Sequence, residues 1–216
     1  MPVLSYQEIE KMEKRYRAQF VNSLSGFKSA NLIGTRSKNG QTNLSIVSSV
    51  FHLGSDPALL GMIIRPHTVP RHSFEYILET KYWTVNHVSS DFYKKAHQTS
   101  ARYDKEVSEF EAVGLSEQYF DDFIPPAVAE AKISIVCELA EVKHLEINGC
   151  ELVIGQIRLV SFPENCLAKD GHLSLEKADT IAIEGLDSYH RTSRISRLSY
   201  AKTDQSITEI SVDSGK

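Results

Sequence analysis

Two Asn-Gly dipeptides constrain this chain more than any other feature of its 216 residues. Asn39-Gly40 lies between runs at residues 30–36 and 42–53, and Asn148-Gly149 between runs at residues 133–145 and 151–162. An Asn-Gly pair tolerates the positive φ that tight hairpin turns demand, so each dipeptide predicts a hairpin. The second pair of runs is rich in Ile, Val and Leu and longer than an ordinary strand of about 5–6 residues. Strands of that length coil, as they do when they wrap a small barrel. The expected class is therefore mainly β, antiparallel, with helices as excursions.

The remaining segments fit around these hairpins. Asp56-Pro57 closes the second strand, residues 59–64 make a third and residues 82–88 a fourth. Thr68 and Pro70 mark the start of a helix over residues 69–80, because Pro is tolerated in a first turn. Ser89-Ser90-Asp91 caps another helix reaching His97, and the polar stretch 98–126 carries a helical patch at 106–112, expected on the outside. At the N-terminus Ser5-Tyr6-Gln7-Glu8 is a capping box. After it Ile9, Met12, Tyr16 and Phe20 share one helical face. Three regions are expected: a helix in residues 1–26 that packs on the barrel or a partner, a barrel domain over residues 27–200, and a polar, frayed tail at 201–216.

Composition removes several functions. The formal net charge is −4, without the concentrated basic face that a nucleic-acid backbone requires. Cys137, Cys150 and Cys166 are odd in number and lack CxxC spacing, which argues against a disulfide framework or a Cys-rich zinc site. The eight histidines are scattered, with only His67 and His72 close, so no metal is expected. Met1-Pro2-Val3-Leu4-Ser5 lacks the apolar core of a signal peptide, and residues 59–64 are too short to cross a bilayer, so no membrane is expected and a cytoplasmic location is. GxGxxG, P-loop, HExxH and GxSxG patterns are missing.

Three segments carry candidate chemistry. The second strand, Asn43-Leu44-Ser45-Ile46-Val47-Ser48-Ser49-Val50, lacks the bulky alternation of a core strand. Its small hydroxyl residues either let a flat ligand approach the backbone or keep an edge strand polar. Arg65-Pro66-His67-Thr68 joins a strand end to a helix start, where free N–H groups and a guanidinium suit an anion. His97-Gln98-Thr99-Ser100-Ala101 adds a further cluster of donors. A surface for a flat ring together with a phosphate grip is what a flavin nucleotide needs.

These segments, in this order, resemble the flavin reductase-like family of FMN-binding split barrels. The likeness runs through residues 43–57, Arg65-Pro66-His67-Thr68, Val85-Asn86, residues 97–101 and residues 109–115. It continues through Gly149, Val153-Ile154-Gly155-Gln156-Ile157 and Leu186-Asp187-Ser188-Tyr189, covering roughly residues 27–200. The resemblance implies a six-stranded antiparallel Greek-key barrel with peripheral helices, and a homodimer with FMN (or FAD) near its interface. It further implies NAD(P)H as electron donor and free flavin or a small redox molecule as substrate. It places Ile46, Val47, Ser48, Ser49 and Val50 at the isoalloxazine, and Arg65, Thr68, His97, Thr99 and Ser100 around the phosphate and ribityl chain. Tyr189 and His190 are candidates for the nicotinamide side, while core packing for the Tyr and a surface role for the His stay open. Two other functions use the same fold: a flavin-binding electron carrier without turnover, and a cofactor-free barrel acting as an interaction module.

Overall fold

A computed structural model describes residues 1–211. Its first strands are β1 (Lys28–Ser29), β2 (Asn31–Arg36), β3 (Thr42–Val47), β4 (Val50–Ser55) and β5 (Ala58–Ile64). Then come β6 (Tyr82–His87), the short pair β7 (Glu117–Gln118) and β8 (Ala127–Val128), and the long pair β9 (Ser134–Leu145) and β10 (Cys150–Ser161). β11 (Ile181–Glu184) and β12 (Ser188–Arg191) complete the set. Both Asn-Gly dipeptides turn hairpins, β2–β3 and β9–β10. In each, only the glycine has positive φ (Gly40 at 91°, Gly149 at 69°), so these are wider loops and not two-residue turns.

The sheet order is β3-β2-β6-β9-β10-β5-β4, with every pairing antiparallel. Its two outermost strands are consecutive in the chain and separated only by Ser48-Ser49. Laid flat, seven strands would set β3 and β4 roughly 29 Å apart at the usual interstrand spacing. Three Cα steps from Val47 to Val50 reach about 11 Å. The sheet must therefore curl until its ends meet. β3 and β4 are two halves of one interrupted strand, which makes this the six-stranded barrel expected, broken where residues 42–53 were expected to run unbroken.

Side-chain alternation divides the packing in two. Ile33, Met62, Ile64, Trp83, Val85, Cys137 and Val153 fill the barrel, and Phe74 and Ile77 of the helix His72–Thr80 plug one end. Gly155 is required there, since a Cβ would lie 2.4 Å from the Trp83 ring. On the outside of β2 and β3, Ala30, Leu32 and Leu44 pack with Val88, Phe92, Ala96, Phe110, Leu115, Val128, Ile181 and Ile183. These come from the helices Tyr93–Gln98 and Glu109–Val113, from β8 and β11, and from the segments beside them. Residues 98–126 are thus not merely external: Phe110 and Leu115 are core.

The helices are α1 (Tyr6–Glu10), α2 (Lys14–Leu24), α3 (His72–Thr80), α4 (Tyr93–Gln98) and α5 (Glu109–Val113). The capping box at Ser5 forms, but Glu13 caps a second helix, so the single N-terminal helix expected is two. Helix α3 starts at His72 and not at Val69, and Thr68 is not its cap. Val69 precedes Pro70, whose ring excludes the α region for the residue before it. Helix α4 also starts late, because Ser89 bridges to Thr180 and Ser90 bonds Asp179. After Ala201 the chain does not fray at once. Lys202 bridges Gln205 and Leu198 bridges Glu209, which folds the segment into a hairpin. Residues 212–216 of the expected tail lie outside the described residues.

Candidate functional site

The free edge of β3 can be followed group by group. β3 pairs with β2 on one side only, so alternate N–H groups point away from the sheet. That of Leu44 donates to Glu109 Oε2 at 2.9 Å, and that of Ile46 to Thr99 Oγ1 at 3.0 Å. Two residues on stands Ser48, where the strand has ended. Neither its N–H nor its hydroxyl meets a partner among the described residues. Ser49 turns the other way and donates its hydroxyl to the Ile63 carbonyl at 2.8 Å. The barrel closure thus leaves the backbone at Ser48 without a bonding partner among the described residues.

Two neighbours of this edge are fixed by burial. Glu109 is 6% exposed, and desolvation pushes its carboxyl above the ordinary range, partly offset by the Leu44 N–H it accepts. Thr99 is 3% exposed, and its hydroxyl also donates to Ala96 O at 2.8 Å. Its one hydroxyl donor is used inside the fold, so Thr99 holds α4 against β3. His97 and Ser100 flank it on the surface and stay exposed.

The aromatic side of the site is built on β12. Tyr189 hydrogen-bonds His97 Nδ1 at 2.8 Å, with the rings edge to face at 5.7 Å, and stands 5.4 Å from Tyr93. Burial, with Asp187 nearby, pushes the phenol up to about 12, so it stays protonated. Tyr189, Tyr93 and Ile46 all pack on the outer core cluster. His190 does not join them. The pleat turns it to the opposite face, against Phe27 at 4.9 Å and Glu184 at 3.3 Å. Of the two adjacent candidates, only Tyr189 reaches His97.

The segment expected to meet an anion brings together more cationic side chains than Arg65 alone. Arg71, the residue before α3, donates to Pro66 O at 3.2 Å, while its Nε is buried without a partner. Burial lowers its pKa, and the nearby guanidiniums of Arg65 and Arg102 lower it further. No carboxylate pairs with any of the three among the described residues. Three guanidiniums gathered without a counter-charge repel one another, and a phosphate, which takes forked N–H donors, relieves that. Arg65 and Thr68 were expected here; Arg71 and Arg102 were not. Their signal in the sequence was weak: Arg71 brackets the 65–70 loop, and Arg102 follows the 97–101 cluster directly. His67 meets the Phe74 ring at a tilt of 59°, with centroids 5.1 Å apart. A cavity of about 430 Å³ lies elsewhere, lined by Glu176, Arg194, Arg197 and Glu209 among others. Arg194 and Arg197 there face Glu176 and Asp170, so their charge is already met.

Comparison with known proteins agrees with this geometry. The flavin reductase like domain matches residues 24–174. The crystal structure of a split-barrel protein from Shewanella frigidimarina, assigned to the flavin reductases, is 53% identical. It superposes with a TM-score of 0.90 over 93% of this chain and 100% of its own. Nitrilotriacetate monooxygenase component B from Bacillus cereus shares the fold at 17% identity, with a TM-score of 0.78 over 90% of this chain and 96% of that one. An uncharacterised protein of Aquifex aeolicus is 26% identical over 147 residues, which is 67% of this chain and 74% of that protein. Among the described residues no helix is long and apolar enough to cross a membrane. A closed split barrel, one unpaired backbone edge at its seam and a matching domain over most of the chain lead to one assignment: this protein belongs to the flavin reductase-like family, whose chemistry is flavin-related redox.

Proposed function

We propose that this protein is an FMN-dependent oxidoreductase, a homodimer that takes reducing equivalents from NAD(P)H and passes them to free flavin or another small redox molecule. The observation that carries the reading is the pairing of an unsatisfied backbone edge at Ser48 with three unpaired guanidiniums. The first suits the hydrogen-bonding rim of a planar ring and the second a phosphate monoester. The residues fit FMN: Ile46, Val47, Ser48, Ser49 and Val50 along the ring, with Arg65, Arg71 and Arg102 at the phosphate. Thr68, His97 and Ser100 line the stretch between, and FAD would use the same grip.

When bound, the flavin supplies the two-electron chemistry. The chain's own residues bind and orient. The Ser48 N–H would fix the ring's register, Glu109 and Thr99 keep β3 rigid by holding its other outward N–H groups, and the arginines fix the tail. Tyr189, held by His97 and neutral at any working pH, would present a polar rim on the nicotinamide side. Hydride transfer asks no side chain to act as acid or base, which accords with a site holding neither a triad nor a carboxylate pair.

The test is the visible spectrum of freshly purified protein, followed by NADH and NADPH oxidation with and without added FMN. Flavin bands together with turnover are expected. Tight FMN binding without turnover would mean an electron carrier, and no FMN uptake at all would overturn the reading.

A further inference from the structure

The N-terminal arm carries an apolar helical surface that its own chain covers only in part. Ile9, Met12, Tyr16, Phe20 and Leu24 recur every three or four residues along α1 and α2, and Phe27 continues the row. No residue of either helix is buried. Tyr16, Leu24 and Phe27 remain 65%, 62% and 66% exposed. The arm rests on its own chain by polar contacts at the β11–β12 turn: Gln19 Nε2 donates to Asp187 Oδ2 at 3.1 Å, and Ser23 sits against Gly185. Along the stripe Ile9, Met12 and Phe20 are half-buried, while Tyr16, Leu24 and Phe27 stay uncovered.

The barrel has a bare face as well. Helices α3, α4 and α5 pack on the β2–β3 side. On the outside of β4, β5 and β10, Phe51 stands across from Gly61 and the buried Ile154, beside the half-buried Leu59, Ile63 and Leu152. Phe51 lies directly over Gly61, yet Phe51 and Leu53 stay 40% and 42% exposed. A helix stripe and a sheet face are the two halves of a stable layered packing. Here one chain carries both, unjoined.

We propose that the dimer is clasped by arm exchange, with α1 and α2 of each copy lying across the β4–β5–β10 face of the other. This rests on the homodimer of the proposed function and names the surfaces that make it. A two-fold operator buries both faces twice in one closed interface. Arm and sheet together offer on the order of 700 Å² of exposed apolar side chain per copy, scaling full side-chain areas by exposure. A standard interface buries about 800 Å² per partner. The arm's root is also at the right place: Ser29 Oγ contacts Val50 O at 3.4 Å, at the barrel seam. An arm laid on β4 therefore borders the free edge at Ser48.

The test uses the full chain. Light scattering should give twice the 24.3 kDa chain mass for the unaltered protein. Tyr16→Glu with Leu24→Glu, and separately Phe51→Glu, should each weaken the dimer at least 100-fold while far-UV circular dichroism stays unchanged. Because charged variants can misfold, a cross-linking arm accompanies them in a Cys150→Ser background. Leu24→Cys protein mixed with Leu53→Cys protein should give at least five times more bismaleimide-linked dimer than either alone. Equal linkage of the Leu24→Cys protein with itself, or no linkage in the mixture, would overturn the exchange. A dimer that survives the arm substitutions overturns the exchange but leaves the homodimer standing, whereas an unaltered chain that is monomeric overturns both.

Discussion

The two sides of the barrel are finished differently. Over β2 and β3 the chain lays α4, α5 and β11, buries Leu32 and Leu44 completely, and pairs the outward N–H groups of Leu44 and Ile46. Over β4 and β5 it lays nothing: β4 keeps a half-exposed Phe51, and the seam between the two sides keeps an unbonded Ser48. The covered side shows what completion looks like in this fold, with the Leu44 and Ile46 donors met and Leu32, Leu44 and Phe110 enclosed. Measured against it, the open side is unfinished in two respects, a polar edge at the seam and an apolar face beyond it. Each asks for something from outside the protomer: a ligand that bonds backbone in the first case, a second apolar surface in the second.

The largest expected contrast is in stability. Phe110 is 1% exposed at the centre of the covered side, so Phe110→Ala should cost about 3–5 kcal/mol by lost burial and cavity formation. Within one protomer Phe51→Ala should cost only about 1 kcal/mol, because much of that ring is exposed there and little cavity is left behind. Urea unfolding in the Tyr16→Glu, Leu24→Glu background, which lacks the arm contact, measures both. Similar losses would break the distinction between the sides.

The seam's ligand demand comes next. Removing Arg65 and Arg71 together should weaken FMN binding by about 2–4 kcal/mol, the sum of two charge-assisted hydrogen bonds less what Arg102 retains. Riboflavin, which lacks the phosphate, should bind almost unchanged. Titration of both flavins by fluorescence quenching checks this, and equal losses would remove the anion from this place.

Covering also shows in the response to acid. His87 ends β6, its Nδ1 3.3 Å from Thr180 Oγ1, and although the residue keeps some surface its ring is desolvated enough to lower the pKa to about 4. An unfolded chain protonates this histidine near 6.5, while the folded one resists until about 4. Stability is therefore whole above about pH 6.5 and falls as pH drops through that window, by on the order of 3 kcal/mol for this group. His87→Asn should flatten that part of the profile, read from denaturant midpoints at pH 7 and pH 4.5.

What the sequence disclosed divides along range. Asn39-Gly40 and Asn148-Gly149 announce their hairpins because a turn is a local event, and the capping box at Ser5 is equally local. The helix start at His72 was misplaced by one competing local rule, since Thr68 looks like a cap but Pro70 bars Val69 from the helix. The strand break at Ser48-Ser49 has no local signal; it follows from the two sheet edges having to meet. Arg71 and Arg102 are likewise gathered by tertiary structure, and no spacing rule links them. That Tyr189 and His190 cannot both face one ligand was legible in principle, because strand neighbours alternate.

The same alternation separates Ser48 from Ser49 and yields the smallest but sharpest prediction. Ser49 is tied to the Ile63 carbonyl across the seam, so Ser49→Leu removes one internal hydrogen bond and should act on stability by about 1 kcal/mol. Ser48 has no hydrogen-bond partner among the described residues and lies next in line after the two satisfied donors of β3. Ser48→Leu should leave unfolding unchanged within about 0.5 kcal/mol, as surface substitutions do. It puts a branched side chain where a planar ring must approach the backbone, and overpacking of that kind costs about 1–3 kcal/mol even where neighbours can adapt. FMN affinity should fall by that amount in Ser48→Leu and much less in Ser49→Leu. Ser48→Ala, which keeps the N–H and adds no bulk, should bind FMN like the unaltered protein. If Ser48→Leu also binds normally, the seam is only a polar edge, and the open side of the barrel is open to a partner alone.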